Sequence, residues 1–386
     1  MLSAAAAVQR RSARRLHVVG PAFGQLLLFV AVPATLLAVF ANELLHHGFQ
    51  TFDFNMLWHG GSDVLHGRSP YPSSLPDVPN RTTFRPFVYP APAAVALAPV
   101  ALIPYPVANV LWAVISVAAI VGTLRLLDVR DWRCYGAAFA APTVCSAIFN
   151  GTITPLLVLG CAALWRFRSR SLVAGLLLAA LVVLKLYLWP VAIWLLVMRR
   201  WRAVAYGVAF SVAALAGWAA FGLAGLRDYA SLLDRLTTIE GNQGCSVYAL
   251  ARSYGASDNL ARDVMFVTGA AILAALVLRA RRHAGDEASF ILALAASLVL
   301  TPIVWPHYFA LTCVACGVAW RRLAPAWIVP IALWPVLPLW SGGDPFRITV
   351  AVSGFVVVFI LALRSLDPAR ADRDVKSVGR FAEGTA

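Results

Sequence analysis

The sequence predicts an all-α fold: a polytopic membrane helical bundle of about twelve transmembrane helices, forming one integral domain over residues 1–386. Three observations carry this. Sixty per cent of the residues are hydrophobic and 13% charged, against roughly 45–50% and about 25% in soluble domains. The mean hydropathy is +0.75, and the apolar residues fall in repeated runs near membrane-span length. The basic residues, thirty Arg and two Lys, cluster between those runs. A soluble globular enzyme, a disordered chain and a disulfide scaffold are thereby excluded. The formal charge of +14 would point to nucleic acid in a soluble protein. Distributed between apolar runs it reads as membrane topology, with membrane lipid and no nucleic acid as partner.

Residues 1–22 read as a cytoplasmic tail carrying Arg10, Arg11, Arg14 and Arg15. The apolar run 23–41 is long for a signal-peptide core, so it is expected to be an uncleaved first span. A first extracytoplasmic loop with interfacial helices follows over 42–105. Within it, 53–67 forms an amphipathic helix with Leu57, Val64 and Leu65 on its apolar side, suited to lie along headgroups.

The run 88–103 decides the topology. It holds Pro90, Pro92 and Pro99, each of which removes a helix hydrogen bond. If it does not cross, twelve spans remain, near 23–41, 106–124, 134–149, 153–165, 171–184, 187–198, 203–222, 263–279, 288–303, 306–320, 325–340 and 346–363. Both termini are then cytoplasmic, with 23 Lys and Arg inside and 9 outside. If it crosses, the later segments flip and the count becomes 10 inside and 22 outside. The positive-inside rule selects the first arrangement. Several runs are shorter than the ~20 residues a crossing needs, so they must tilt, break or thin the bilayer. In this arrangement a second extracytoplasmic loop spans 223–262 and a cytoplasmic tail 364–386. The inner charges read as ordinary Arg anchors. Of the six cysteines, five lie in apolar runs as small hydrophobes; the Cys313/Cys316 pair has CxxC spacing but no second pair, which argues against a metal or redox site.

Mixed polar chemistry collects on the outer rim. Asp53 follows the first span; it is a candidate base at the membrane surface, or equally an N-cap. Trp58 lies beside it in sequence. Next come Gly67-Arg68-Ser69-Pro70-Tyr71, with Arg81, and then Phe84-Arg85-Pro86-Phe87-Val88-Tyr89-Pro90-Ala91-Pro92. Asn150-Gly151-Thr152 fits a tight turn. Lys185 is flanked by apolar residues on both sides and either snorkels or holds a lipid phosphate. Asn242-Gln243-Gly244-Cys245-Ser246 forms a polar turn suited to sugar hydroxyls. Thr301-Pro302-Ile303-Val304-Trp305-Pro306-His307-Tyr308 must break its helix, which is tolerated at membrane depth where it lines a cavity.

The order of these short motifs resembles the polyprenyl-phosphate-dependent glycosyltransferases of the GT-C type, specifically glycosyltransferase family 87, over about residues 25–320. The resemblance implies transfer of a sugar, commonly mannose, from a polyprenyl-phosphate donor to a lipid-linked or glycan acceptor on the outer face. It implies Asp53 as general base, and Lys185 and His307 near the donor phosphate with help from Arg81 or Arg85. Asn150, Asn242 and Gln243, with Tyr71, Tyr89 and Trp58, would line the sugar and acceptor pocket. The chain departs from the family pattern at Tyr89-Pro90-Ala91-Pro92, at Asn150-Gly151-Thr152 and in the stretched 242–246 loop.

The implied chemistry is coherent. A sugar hydroxyl needs its proton removed in the transition state, which a positioned carboxylate accelerates roughly 10²–10⁴-fold. Cationic donors stabilise the charge growing on the leaving phosphate. One carboxylate fits single-displacement inversion, while Asp63 leaves a second carboxylate open. The one Asp-x-Asp, Asp372-Arg373-Asp374, stands in the C-terminal tail read as cytoplasmic, away from the outer rim, and no Gly-rich phosphate motif is present; neither a nucleotide-sugar donor nor a cofactor is implied, and a metal is not required. The rival reading is a transporter or lipid flippase, which predicts related halves and ionisable groups at the midplane.

Overall fold

The computed structural model describes residues 22–71, 87–220, 229–282, 285–337 and 344–366. Every regular element among them is helical. The first helix, α1 (Ala22–His46), carries a π-turn at Leu27–Ala31. It is followed by α2 (Phe52–Leu65), α3 (Ala91–Ala101), α4 (Tyr105–Leu126), α5 (Trp132–Ala140), α6 (Pro142–Phe149), α7 (Thr154–Arg166), α8 (Ser171–Leu184) and α9 (Pro190–Val197). Then come α10 (Trp201–Ala220), α11 (Tyr229–Glu240), α12 (Val247–Ser253), α13 (Asp258–Ala280), α14 (Gly285–Val299), α15 (Thr312–Ala319), α16 (Pro325–Ile328) and α17 (Pro345–Ser365).

Five described helices are long and apolar enough to cross a membrane: α1, α4, α10, α13 and α17. The count is six if α6 and α7, bent by 120° across Asn150–Ile153, form one broken span. The expected twelve runs therefore do not appear as twelve long helices. Proline explains most of the shortfall. Pro142, Pro155, Pro190 and Pro306 each stand at the first or second residue of a helix or 3₁₀ turn. Proline is favoured there because its missing N–H would be unpaired anyway, and inside a helix it would break the ladder. The short pieces are packed in protein, α6 and the Pro306–Ala319 stretch nearly completely buried. Hydropathy alone does not separate such buried helices from spans.

The segment α3 is 11 residues, about 16 Å, too short to cross the ~30 Å hydrocarbon layer, and it packs on α2. The helix expected from Asp53 onward is α2. Its Leu57 is fully buried and its Leu65 exposed. Close backbone approach joins α8 to α10: a Cβ on Gly175 would meet the Ala203 carbonyl at 2.8 Å, and one on Gly207 would meet Leu178 at 2.7 Å. Such small-residue crossings let helices associate by van der Waals contact without a hydrophobic drive.

Polar contacts sort into two ends. At one, the turn after α7, the start of α10 and the start of α14 converge. Asp286 accepts from Arg168 Nε (2.8 Å), from Arg200 Nη1 and Nη2 (2.8 and 2.7 Å) and from Trp194 Nε1 (2.9 Å). Nearby, Asp131 pairs with Arg133 and accepts the Leu323 N–H at 3.0 Å. Arg133, Arg168 and Arg200 are thus bonded struts, contrary to their reading as simple anchors. At the other end of α13, Arg262 bridges Asp234 and Asp258, each at 2.8 Å, and the Tyr248 hydroxyl donates to Asp258. This ties α11 and α12 to the start of α13.

Candidate active site

Breaks between helices build the site. Thr51 caps α2 in an extended conformation, and Asp53 is its second helical residue. The N-cap reading of Asp53 therefore does not hold. Its backbone N–H donates instead to the Asn150 carbonyl at 2.8 Å. Thr51 Oγ1 donates to Asn109 Oδ1 (2.6 Å), Asn109 Nδ2 to the Phe49 carbonyl (2.9 Å), and Trp112 Nε1 to the Gly151 carbonyl (2.8 Å). Gly151 has φ +63°, and a Cβ there would lie 2.6–2.8 Å from Thr51 and Phe54. Only glycine combines that left-handed turn with so close an approach. The Asn-Gly turn thus clamps the start of α2.

The remaining groups arrive on three other breaks. Lys185 ends α8 in an extended conformation, ahead of a 3₁₀ turn and Pro190. Tyr89 precedes the Pro90 that opens α3. Extended Trp305 leads into the 3₁₀ turn Pro306–Leu311, which packs against α6. The 242–246 loop is stitched to this stretch: the Cys245 N–H donates to the Val304 carbonyl and Ser246 Oγ to the Pro302 carbonyl, both 2.6 Å.

Asp53, Lys185 and His307 come together. His307 Nε2 lies 4.0 Å from Asp53 Oδ2, with side chains 8% and 14% exposed. That separation is too long for a hydrogen bond, and among the described residues the Asp53 carboxylate accepts no hydrogen bond. Burial pushes the Asp53 carboxyl up to about 6; the Lys185 ammonium lowers it and the Glu240 carboxylate raises it further. Lys185 Nζ stands 4.3 Å from the Tyr89 ring centre and 4.9 Å from that of Tyr308. Tyr187 stacks on Tyr308 at 4.9 Å and 13°.

Tyr71 and Tyr89 share one wall: the Tyr71 hydroxyl donates to the Tyr89 carbonyl at 2.9 Å, and the Tyr71 and Tyr229 rings lie 5.7 Å apart. Trp58 spends its indole N–H on the Ile103 carbonyl at 3.0 Å and packs on Tyr105. Asn150 turns its amide back on Ser146, donating at 2.9 Å to its carbonyl, so its backbone is what meets Asp53. Asn242 is exposed and accepts from Arg252 at 3.4 Å. Gln243 donates to the Ile239 carbonyl at 3.4 Å, leaving its buried Oε1 unpaired among the described residues. Arg81 and Arg85 lie outside the described residues. Asp63 pairs with Arg68 at 2.8 Å, ten helical residues and about 15 Å along α2 from Asp53. It is no partner in a carboxylate pair. Among the described residues no three His, Cys, Asp or Glu side chains converge as metal ligands would.

Sequence reasoning gave no role to Tyr187, Tyr229, Glu240 or Tyr308. Tyr187 and Tyr308 were in view as near neighbours of Lys185 and His307. Glu240 and Tyr229 carried no local signal, because they reach the site from the two ends of one helix, α11.

The arrangement offers a withdrawn carboxyl, its titration raised by burial to about 6, beside an imidazole and an ammonium, which suits proton removal next to a developing anion. Comparison with known proteins identifies the family. Residues 87–306 match the model of glycosyltransferase family 87. The match covers more than half of the chain, begins after Asp53 and stops one residue before His307. A relative from Mycolicibacterium smegmatis (strain ATCC 700084 / mc(2)155) is 28% identical over 300 residues, 71% of this chain and 67% of its own length. It is named polyprenol-phosphate-mannose-dependent alpha-(1-2)-phosphatidylinositol pentamannoside mannosyltransferase. A protein of the same name from Mycobacterium tuberculosis (strain CDC 1551 / Oshkosh) is 27% identical over 289 residues, 68% of this chain. The match spans 60% of that relative's length. No solved structure matches. These matches select an enzyme over a transporter: the chain belongs to glycosyltransferase family 87 and is a glycosyltransferase.

Proposed function

We propose that this chain transfers a mannosyl group from a polyprenyl-phosphate donor to a lipid-linked or glycan acceptor at the outer membrane surface, with Asp53 as general base. The observation that carries the reading is the single withdrawn Asp53 carboxylate, 4.0 Å from His307 and electrostatically coupled to Lys185. The names of the two relatives support the donor and the glycolipid class of acceptor.

In the proposed step an acceptor hydroxyl oxygen attacks the anomeric carbon while the bond from that carbon to the phosphate oxygen breaks. The hydroxyl proton passes to Asp53 and the electron pair leaves with polyprenyl phosphate. Lys185 faces the charge that grows on the phosphate, and His307, beside the base, is the second group near that phosphate. One carboxylate in the base role fits inversion at the anomeric carbon. The distance of Asp63 from Asp53 supports that choice.

The proposed topology has twelve crossings, several made by broken or tilted helices, and cytoplasmic termini. The sorting of contacts supports it. The turns near 168, 200 and 286 share one set of polar bonds, and those near 131 and 323 another. The segments at 53, 89, 150, 185, 245 and 304–308 meet in a separate cluster. The first set carries arginine clusters, which under the positive-inside rule supports a site on the outer face.

The test is purified protein with labelled polyprenyl-phosphate mannose and a panel of glycolipid acceptors. Wild-type protein is expected to transfer, and Asp53→Asn to lose at least 10²-fold in rate while keeping its fold. Near-normal turnover by Asp53→Asn, or wild-type protein that binds donor and transfers to no acceptor, refutes the reading.

A further inference from the structure

The Lys185 ammonium has an unusual setting. Its nitrogen lies between two ring faces, 4.3 Å from the centre of Tyr89 and 4.9 Å from that of Tyr308, both within the range of cation–π attraction. Among the described residues it forms no ion pair, although it is near enough for Asp53 to feel its charge. A lysine on a flexible four-carbon stem pairs readily with a carboxylate so close. The rings are themselves held. Tyr89 is 1% exposed, packs on Phe87 at 5.7 Å and is tied through its carbonyl to Tyr71. Tyr308 is backed by the parallel ring of Tyr187, whose buried hydroxyl has no hydrogen-bond partner among the described residues. Tyr187 therefore serves the site as a flat surface behind Tyr308.

We infer that Tyr89 and Tyr308 are positioning residues: they hold the Lys185 ammonium between their faces, off the Asp53 carboxylate and free to meet the donor phosphate. This rests on the reading of Asp53 as base and Lys185 as phosphate ligand. Without the rings, Lys185 would fold onto Asp53. A direct ion pair there would make the carboxylate a weaker base and withdraw the ammonium from the leaving group. The sandwich keeps two opposite charges close yet unpaired, so one is available to a proton and the other to an anion.

The experiment uses full-length protein in nanodiscs with labelled polyprenyl-phosphate mannose, comparing Tyr89→Phe, Tyr89→Leu, Tyr308→Phe and Tyr308→Leu. The Phe variants keep the ring faces and are expected to lose at least threefold less than the matching Leu variants. The Leu variants are expected to lose at least tenfold in kcat/KM, with a raised donor KM. Their acid limb should move to lower pH, because Lys185 now pairs with the base. The groups facing Asp53 in that profile are Lys185, His307, Glu240, Tyr89 and Tyr308. In a Lys185→Met background the Leu substitutions are expected to cost nothing further, since there is no ammonium left to hold. Should Tyr308→Leu not fold, Tyr89→Leu carries the same expectations. Phe variants as impaired as Leu variants, an unmoved pH limb, or an equal loss with and without Lys185 overturns the inference. If Asp53→Asn is inactive while both Leu variants behave as wild type, only the inference fails. If Asp53→Asn transfers normally, the underlying reading fails.

Discussion

Asp53 and Asp286 are both withdrawn carboxylates, with side chains 14% and 18% exposed, and the molecule treats them in opposite ways. Burial would raise Asp286, but the Arg200 and Arg168 hydrogen bonds outweigh it and hold its carboxyl below the usual range. Four protein N–H groups saturate it, and Trp165, Trp194 and Phe290 wall it with stacked rings 4.6–5.9 Å apart. Asp53 receives no such bonds, so burial wins and pushes it up to about 6. A saturated charge is a fastening. An unsaturated one with opposite charges held at a distance is a reagent. The same fold contains both.

The largest expected effect breaks the fastening. Asp286→Asn leaves two half-buried guanidiniums unpaired and should cost about 3 kcal/mol, at the lower end for a broken buried pair because the groups are partly solvated. The apparent melting temperature of purified protein checks this, and the folded fraction should still transfer. Arg200→Lys, losing the two-pronged bond to Asp286, should fall in between.

Asp53→Asn is expected to move the other way in stability. Because the folded carboxyl titrates near 6 rather than 3.8, ionising it costs the folded state up to about 3 kcal/mol once the pH exceeds 6, and nothing below about 4. The variant should therefore melt higher than wild type at pH 7.5, with the gap closing as the pH falls towards 4. Equal melting at both pH values would show that the carboxylate is not strained by burial. A fourth substitution, Gly151→Ala, forces a left-handed φ on a side chain and drives its Cβ into Thr51. It should cost about 1–3 kcal/mol and lower transfer by shifting the start of α2, read as a melting shift together with reduced kcat. Smallest, Trp194→Phe removes one of the four bonds to Asp286 and should cost about 1 kcal/mol without touching the donor KM.

Much of this comparison was legible in the sequence, though unevenly. Lys185 and His307 stood out as ionisable residues at the edge of an apolar run next to an aromatic or proline, and Asp53 as a carboxylate between Phe52 and Phe54 about a dozen residues after the first span. Those are the positions where a helix must break, and breaks build the site. The short helix after Pro90 was legible for the same reason. The count of long helices was not, because a buried helix and a lipid-facing one have similar hydropathy, and α6, α9 and α15 are short pieces of continuous apolar runs. Arg168 and Arg200 read as anchors because arginine after a span has that role by default; their partner Asp286 lies more than eighty residues further on. Tyr308 escaped for a subtler reason: beside a histidine an aromatic ring looks like packing, and its use as a face for Lys185 needs the third dimension.

The most direct test of the central claim, that a burial-raised Asp53 carboxylate takes the acceptor proton, is the pH dependence of kcat from pH 4.5 to 8 with saturating donor and acceptor. The base must be ionised, so the rate should rise tenfold per pH unit at the acid end and level off above a midpoint near 6. A rate that stays flat down to pH 4.5 would contradict the assignment, because a carboxyl titrating near 6 would then play no part in the rate-limiting step.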